Sequence, residues 1–246
     1  MGISSSVTID SVISFSEQGH RANNEDFLGC LPNKLYVVCD GVGGSEKGEV
    51  ASKLVVESLL GEFSNHGDLT FCSAVSNAEK KIDDYLASHD EARGMATTMV
   101  ALLLNGNLVE VGWVGDSRLY HFRNGSILFK TRDHSWVNDA LDAGFLTPEE
   151  AVNHPKSNVI TRAIQGAFSP TTVDRVEIGD LEGGDLIMLF SDGVSEYWDD
   201  DKLCGLVATW GNDCESIARE IVSKCRDHSR DNFTGFVMRL IINRDC

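Results

Sequence analysis

The sequence predicts an α+β layered sandwich, and three observations carry that prediction. Apolar alternation of strand type and apolar spacing of helix type follow one another as strand, two helices, several strands, helices and a last strand. Two Asn-Gly dipeptides, Asn105-Gly106 and Asn124-Gly125, stand between apolar runs, the strongest short signal for hairpins. An antiparallel meander there excludes a doubly wound parallel sheet for at least half the chain. No internal repeat, linker or low-complexity segment interrupts the 246 residues, so residues 1–246 are read as one domain.

The elements follow in order. Val7 to Phe15 alternates as a first strand with an irregularity near Asp10-Ser11. A polar loop, Gly19 to Asp26, precedes the run Leu35-Tyr36-Val37-Val38-Cys39, which reads as a buried strand. Ala51, Leu54, Val55, Leu59 and Phe63 share one helical face, and Phe71 to Leu86 gives a second such pattern. Strand signals run through Thr97–Leu104, Leu108–Val114, Leu119–Phe122 and Ile127–Phe129. The stretch 133–166 holds only short helical pieces, at Val137–Ala143 and Pro148–Val152, and is read as an excursion over one end of the sheets. Strands resume at Thr172–Ile178 and Asp185–Ser191. Two helices follow at Asp199–Trp210 and Cys214–Cys225, and a strand at Thr234–Ile242 closes the pattern.

Composition bounds the partners. Hydrophobic residues make up 42% and charged ones 24%, as in soluble globular proteins. A net charge of −17 argues against nucleic acid or an anionic membrane, both of which need basic surface. The seven cysteines form no C-x-x-C pair, so reduced thiols in a cytoplasmic protein are expected. No apolar run reaches membrane-span length, and Met1–Ser6 fits the permissive acylation pattern only by chance.

Acids at element ends carry the chemistry. Asp40-Gly41 follows Leu35–Cys39, Asp116 follows Val109–Gly115, Asp192-Gly193 follows Leu186–Ser191, and Asp231-Asn232 precedes the last strand. A carboxylate ending a buried strand is costly unless its charge is compensated. Four of them converging on one sheet edge repel and need bound cations. All-oxygen donors without Cys or paired His select Mg²⁺ or Mn²⁺ and disfavour zinc. Two such ions about 3.5–4 Å apart hold a water between them and polarise a phosphoryl group. Arg21 supplies a bidentate donor for phosphate oxygens. The reading is hydrolysis of a phosphate ester. A P-loop and a Cys-x5-Arg phosphatase loop are both missing from the sequence.

These segments resemble the metal-dependent PP2C-type (PPM) Ser/Thr protein phosphatases, the compact bacterial members above all. The matching stretches are Arg21–Asp26, Asp40–Gly44 with Gly48–Ser52, Met95–Thr98, Gly115–Arg118, Asp133–Ser135, Ser191–Gly193 and Asp231–Thr234, all in family order. The resemblance implies a four-layer α-β-β-α sandwich, two antiparallel β-sheets flanked by helices, with two Mn²⁺ or Mg²⁺ ions at one edge. It implies that Asp40 bridges both ions, the Gly41 carbonyl ligates one, and Asp192 and Asp231 complete the other. Asp116 matches the acid that recruits a third, weaker ion. Arg21 matches the phosphate-binding Arg, Glu25 and Asp26 match acids that hold metal-bound waters or the strand ends, and Asn232 matches a residue near the site. The excursion 133–166 matches the family's flap.

The implied activity is hydrolysis of phosphoserine and phosphothreonine by a water or hydroxide held between the metals, with no phosphoenzyme. The implied substrates are phosphoproteins of a cognate Ser/Thr kinase, met by a cytoplasmic monomer. Two departures stand out. Val42 occupies the place of a candidate general-acid His of eukaryotic relatives, and Ser45 a position often His in bacterial ones. Gly235, early in the last strand, reads as a bulge. A catalytically silent phosphoprotein-binding module and a hydrolase of small phosphorylated metabolites are the competing readings.

Overall fold

The computed structural model describes residues 5–42, 47–65, 69–151 and 154–244. Gly43, Gly44, Ser45, residues 1–4 of the N-terminal acylation pattern, Val152 and Cys246 lie outside the described residues.

Strand β1 (Ser5–Glu17) shifts register between Ile9 and Ser11, where the sequence places an irregularity. Strand β2 (Asp26–Leu31) pairs antiparallel with β3 (Leu35–Val42). β2 is not among the strands read from the sequence, and Gly29 sits in its middle. Its lack of a side chain is a packing need: a Cβ there would meet Val56 and Leu60 of the first helix at 2.6 and 2.8 Å. Helix α1 (Gly48–Asn65) and helix α2 (Phe71–Leu86) match their apolar spacing. Thr70 starts α2 with a reciprocal hydrogen-bonded box to Ser73.

After a 3-10 turn at Asp90–Ala92 come β4 (Ala96–Thr97), β5 (Met99–Asn105), β6 (Leu108–Val114), β7 (Arg118–Arg123) and β8 (Ser126–Lys130). The excursion contains α3 (Trp136–Asp142) and α4 (Pro148–Ala151). The remainder is β9 (Asp174–Ile178), β10 (Leu186–Phe190), α5 (Asp192–Ser195), α6 (Asp200–Trp210), α7 (Cys214–His228) and β11 (Phe233–Arg244).

Two antiparallel sheets result, one ordered β1-β11-β10-β7-β8 and the other β2-β3-β5-β6-β9, with β4 pairing β3. The expected single meander from 97 to 129 is therefore corrected. Its two hairpins, β5–β6 and β7–β8, belong to different sheets, and the chain changes sheet at Gly115-Asp116-Ser117. Local hairpin chemistry is the same either way. Asn124 and Gly125 both take left-handed φ, as a two-residue hairpin turn requires.

Period-2 alternation distributes the core into three layers. Leu35, Val37 and Cys39 face α1 and α2, whereas Tyr36 and Val38 face the other sheet through Ile187, Leu189 and Phe236. Tyr120, Met188 and Phe190 turn outward to α6 and α7 through Leu203, Ile217 and Ile221. A strand buried on both faces is a continuous apolar run, which is why β3 and β10 are so legible. Each large side chain so buried contributes about 1.5–3 kcal/mol, enough in sum to hold costly carboxylates at the sandwich edge.

Gly235 is not a bulge. It stays in register with Phe15 on β1 and Phe190 on β10. A Cβ there would meet the Leu189 carbonyl oxygen and the Phe190 ring at 2.5 Å each, so the position demands the smallest residue.

Candidate metal centre and active site

One edge of the sandwich opens into a cleft of about 770 Å³. Asp40, Gly41, Asp116, Asp192 and Asp231 all line it, as do Arg21, Glu25 and Asn232. Each acid arrives on a different element. β3 carries Asp40, whose N–H donates to Thr98 Oγ1 at 3.1 Å and whose carbonyl accepts from Thr98 N–H and Thr97 Oγ1, both at 2.8 Å. The sheet-changing turn between β6 and β7 carries Asp116. Asp192 stands just beyond β10 as the first residue of α5, and Asp231 lies two residues before β11.

Gly41 and Gly48 let α1 start hard against β3. A Cβ on Gly41 would sit 2.4 Å from the Gly48 carbonyl, and one on Gly48 would sit 2.4 Å from Glu25 Oε2. Gly41 N–H donates to the Glu25 carbonyl at 3.1 Å, and Ser52 Oγ donates to the same oxygen at 2.6 Å. Asn232, 4% exposed, braces the polar loop: its Oδ1 accepts from Glu25 N–H, and its Nδ2 donates to the Gln18 and Asn23 carbonyls.

Asp26 is placed differently from the other site residues. It lies beneath the cleft, 5% exposed, where Oδ2 accepts from Ser191 Oγ at 2.7 Å while Oδ1 has no partner. Ser191 Oγ also accepts from Thr234 N–H at 3.0 Å. Asp26 thus ties β2 of one sheet to the ends of β10 and β11 of the other.

The electrostatics are those of a site with more carboxylates than counter-charges: Arg21 and Arg118 face seven acids. Burial pushes the Asp40 carboxyl well up, and Asp192, Asp26 and Asp116 push it further. Asp116 is raised to about 7 by burial and then by Asp192 and Asp133, against Arg118. Asp26 is also raised to about 7, by burial outweighing its bonds to Ser191 and Thr234. Burial and Asp231 raise Asp192, whose Oδ1 is buried and unpartnered. The Asp40 and Asp192 carboxyls lie within hydrogen-bonding reach of each other. Such a cluster ionises near neutral pH only with added cations.

The donors fit hard divalent ions, since all are oxygen. Among the described residues no three or more His, Cys, Asp or Glu side chains close into a ready metal cluster. Asp231 is held by the Arg21 guanidinium, whose side chain is 59% exposed.

Several cleft residues have no role legible in the sequence. Arg118 grips Asp133 through Nε and Nη2 at 2.8 and 2.6 Å, and both line the cleft. Glu196 also lines it, four residues beyond Asp192, a helical spacing that could have flagged it. The excursion contributes Ser157, Asn158, Val159 and Ile160.

A two-sheet sandwich with carboxylates from both sheets at one open edge is the architecture of a metal-dependent phosphatase fold. Comparison with known proteins agrees: the Protein phosphatase 2C family model matches residues 18–228. This chain belongs to the protein phosphatase 2C family. It is 34% identical over 226 residues to the serine/threonine protein phosphatase PstP of Mycobacterium tuberculosis, covering 90% of this chain and 43% of that relative. The chain therefore spans less than half the length of that protein. A crystal structure of the M. tuberculosis phosphatase PstP/Ppp superposes with a TM-score of 0.84 at 30% identity, covering 96% of this chain and 99% of the other. A PstP catalytic domain in complex with two manganese ions superposes with a TM-score of 0.76 at 28% identity, covering 96% and 99%. Among the described residues no helix is long and apolar enough to cross a membrane.

Proposed function

We propose that this chain is a metal-dependent protein serine/threonine phosphatase, formed by a single domain over 1–246. It hydrolyses phosphoserine and phosphothreonine in proteins phosphorylated by a cognate kinase, as a cytoplasmic signalling monomer. The observation that carries this reading is the convergence of four acids from four elements on one cleft, with Asp192 Oδ1 buried and unpartnered. The family relative with two manganese ions supports the choice of ion.

In this reading Asp40, the Gly41 carbonyl, Asp192 and Asp231 would hold two Mn²⁺ or Mg²⁺ ions, and Asp116 would hold a third, weaker one. When bound, the ions would supply an activated water and polarise the phosphoryl oxygens. Arg21, more than half exposed at the cleft, binds the phosphate with the donors that Asp231 leaves free. Asn232 and Asp26 hold the loop and the strand ends on which those ligands sit. Val42 has no proton to give, so water or another residue must protonate the leaving oxygen.

The test is hydrolysis of p-nitrophenyl phosphate and a phosphothreonine peptide with and without Mn²⁺. The reading expects activity that chelator abolishes and that Asp40→Asn or Asp192→Asn removes. Protein inert in excess Mn²⁺ would sink it. A preference for small phosphorylated metabolites over the peptide would correct the substrate class alone. Light scattering on the eluting protein checks the monomer.

A further inference from the structure

His134 stands at the neck of the flap, and every polar atom it has is engaged. It is 6% exposed. Its N–H donates to the Gly115 carbonyl at 2.9 Å, and its ring Nδ1 accepts from Gly115 N–H at 3.0 Å. Its carbonyl accepts from Thr161 N–H at 2.9 Å on the returning side of the flap. Because Nδ1 accepts, the ring hydrogen sits on Nε2, 3.2 Å from Asp174 Oδ2 and 3.3 Å from Arg162 Nη1. The other oxygen of Asp174 accepts from Arg162 Nη1 at 2.8 Å. Trp113 stacks on the imidazole, with centroids 6.2 Å apart and planes at 11°.

Two parts of the cleft therefore meet on one side chain. Gly115 takes φ +95° immediately before Asp116, so its two bonds to His134 set how the Asp116 carboxylate is presented. Thr161 and Arg162 directly follow the cleft-lining stretch 157–160, which is laced to the flap's start by the Ser135–Ile160 bridge. We propose that His134 is a positioning residue that couples the flap to the Asp116 turn, so that loosening one loosens the other. It touches neither phosphate nor ion. Only the naming of Asp116 as a cation ligand rests on the phosphatase reading; the coupling itself does not.

The test is amide hydrogen exchange in metal-free protein over segments 112–118 and 157–164. In His134→Gln the amide nitrogen can replace Nε2 toward Asp174, while the acceptor for Gly115 N–H is lost. Exchange over 112–118 should rise about three- to tenfold, the range set by one hydrogen bond, with 157–164 little changed. Asp174→Asn, at a residue 41% exposed, acts on the Nε2 side of His134; because Asp174 lies opposite Trp113 on β6, its effect within 112–118 is read at the amides of residues 115–118, beyond that pairing. It should speed exchange in both segments, because His134 transmits the change. In the double variant, 115–118 should exchange no faster than in His134→Gln alone, the non-additivity of coupled sites.

Asp174→Asn leaving 115–118 at the wild-type rate would overturn the coupling, as would additive effects in the double variant. Should His134→Gln fail to fold, Asp174→Asn decides the matter by itself. A parallel Mn²⁺ titration should show the weakest binding step alone reduced in Asp174→Asn. Absence of any Mn²⁺ binding would count against the phosphatase reading and leave the exchange result standing.

Discussion

Strand β10 has a carboxylate near each end, and the two meet opposite fates. Asp185, 1% exposed, takes Arg123 Nε and Nη2 at 2.8 and 2.9 Å, His121 Nε2 at 2.8 Å and Glu182 N–H at 2.9 Å. Burial pushes its pKa up, but Arg123, His121 and the Glu182 amide outweigh burial and hold it below the usual carboxylate range. Asp192 faces Asp40 and Asp231, leaves Oδ1 without a partner, and is raised. The same residue type flanks the same strand twice. At one end the protein supplies the counter-charge, and at the other it leaves room for one from outside. That asymmetry separates a structural carboxylate from a candidate metal ligand more sharply than burial does.

The largest effect should come from breaking the open end. Asp40→Asn is expected to lower kcat/KM with Mn²⁺ by at least about 10³-fold. It should also raise the urea midpoint of the metal-free protein, since a carboxyl that must take up a proton to be buried is replaced by a neutral amide. Steady-state kinetics and urea titration read the two sides. Breaking the satisfied end should do the reverse. Asp185→Asn should cost about 3 kcal/mol, the lower end for a split buried pair, because Arg123 can still reach Asp180 and Glu182. Mn²⁺ binding should survive in it.

Mn²⁺ at about 100 times its Kd should stabilise the wild-type protein by about 2.7 kcal/mol, an effect that chelator reverses in a thermal scan. Binding should release protons at about pH 6 and fewer at about pH 8, because carboxyls raised to about 7 must lose theirs. Calorimetry in buffers of different ionisation enthalpy measures that release.

The two ends should also respond to pH with opposite sign. Asp26 and Asp116 have folded values of about 7, above the unfolded value. Their contribution is fully present below about pH 4 and is lost as pH rises toward 7. Asp185 is depressed on folding, so its contribution is present above about pH 4 and is lost below it. Urea midpoints of metal-free protein should therefore fall between about pH 5 and about pH 8, and Asp116→Asn should flatten the fall. The smallest effect belongs to Arg21→Ala. Its exposed pair with Asp231 is worth about 0–1 kcal/mol of stability, whereas KM for a phosphopeptide should rise about tenfold or more.

Much of this was legible in the sequence because the expensive features announce themselves. Strands β3 and β10 are apolar on both faces, so each acid just beyond them stands out. α2 and β6 fall within the bounds that their periodicities set. The failures are failures of long-range information. β7 pairs β10, with Leu119 opposite Leu189, and nothing between Val114 and Arg118 reveals a change of sheet. Gly235 reads as a bulge and Gly29 lies in a strand that went unread, yet each fits a place where a neighbour presses on the backbone. Within the cleft, the acids could be read, but their protein partners could not. Arg21 meets Asp231 across the whole chain, and Arg118 finds Asp133 through the fold, not through spacing.

The most direct measurement is an Mn²⁺ titration by calorimetry on three proteins: wild type, Asp192→Asn and Asp185→Asn. The account expects the wild type and Asp185→Asn to bind with the same stoichiometry. Asp192→Asn should lose at least one ion. Equal binding by all three, or a wild type that binds none, would contradict the claim that the cleft end of β10 was left open for a cation.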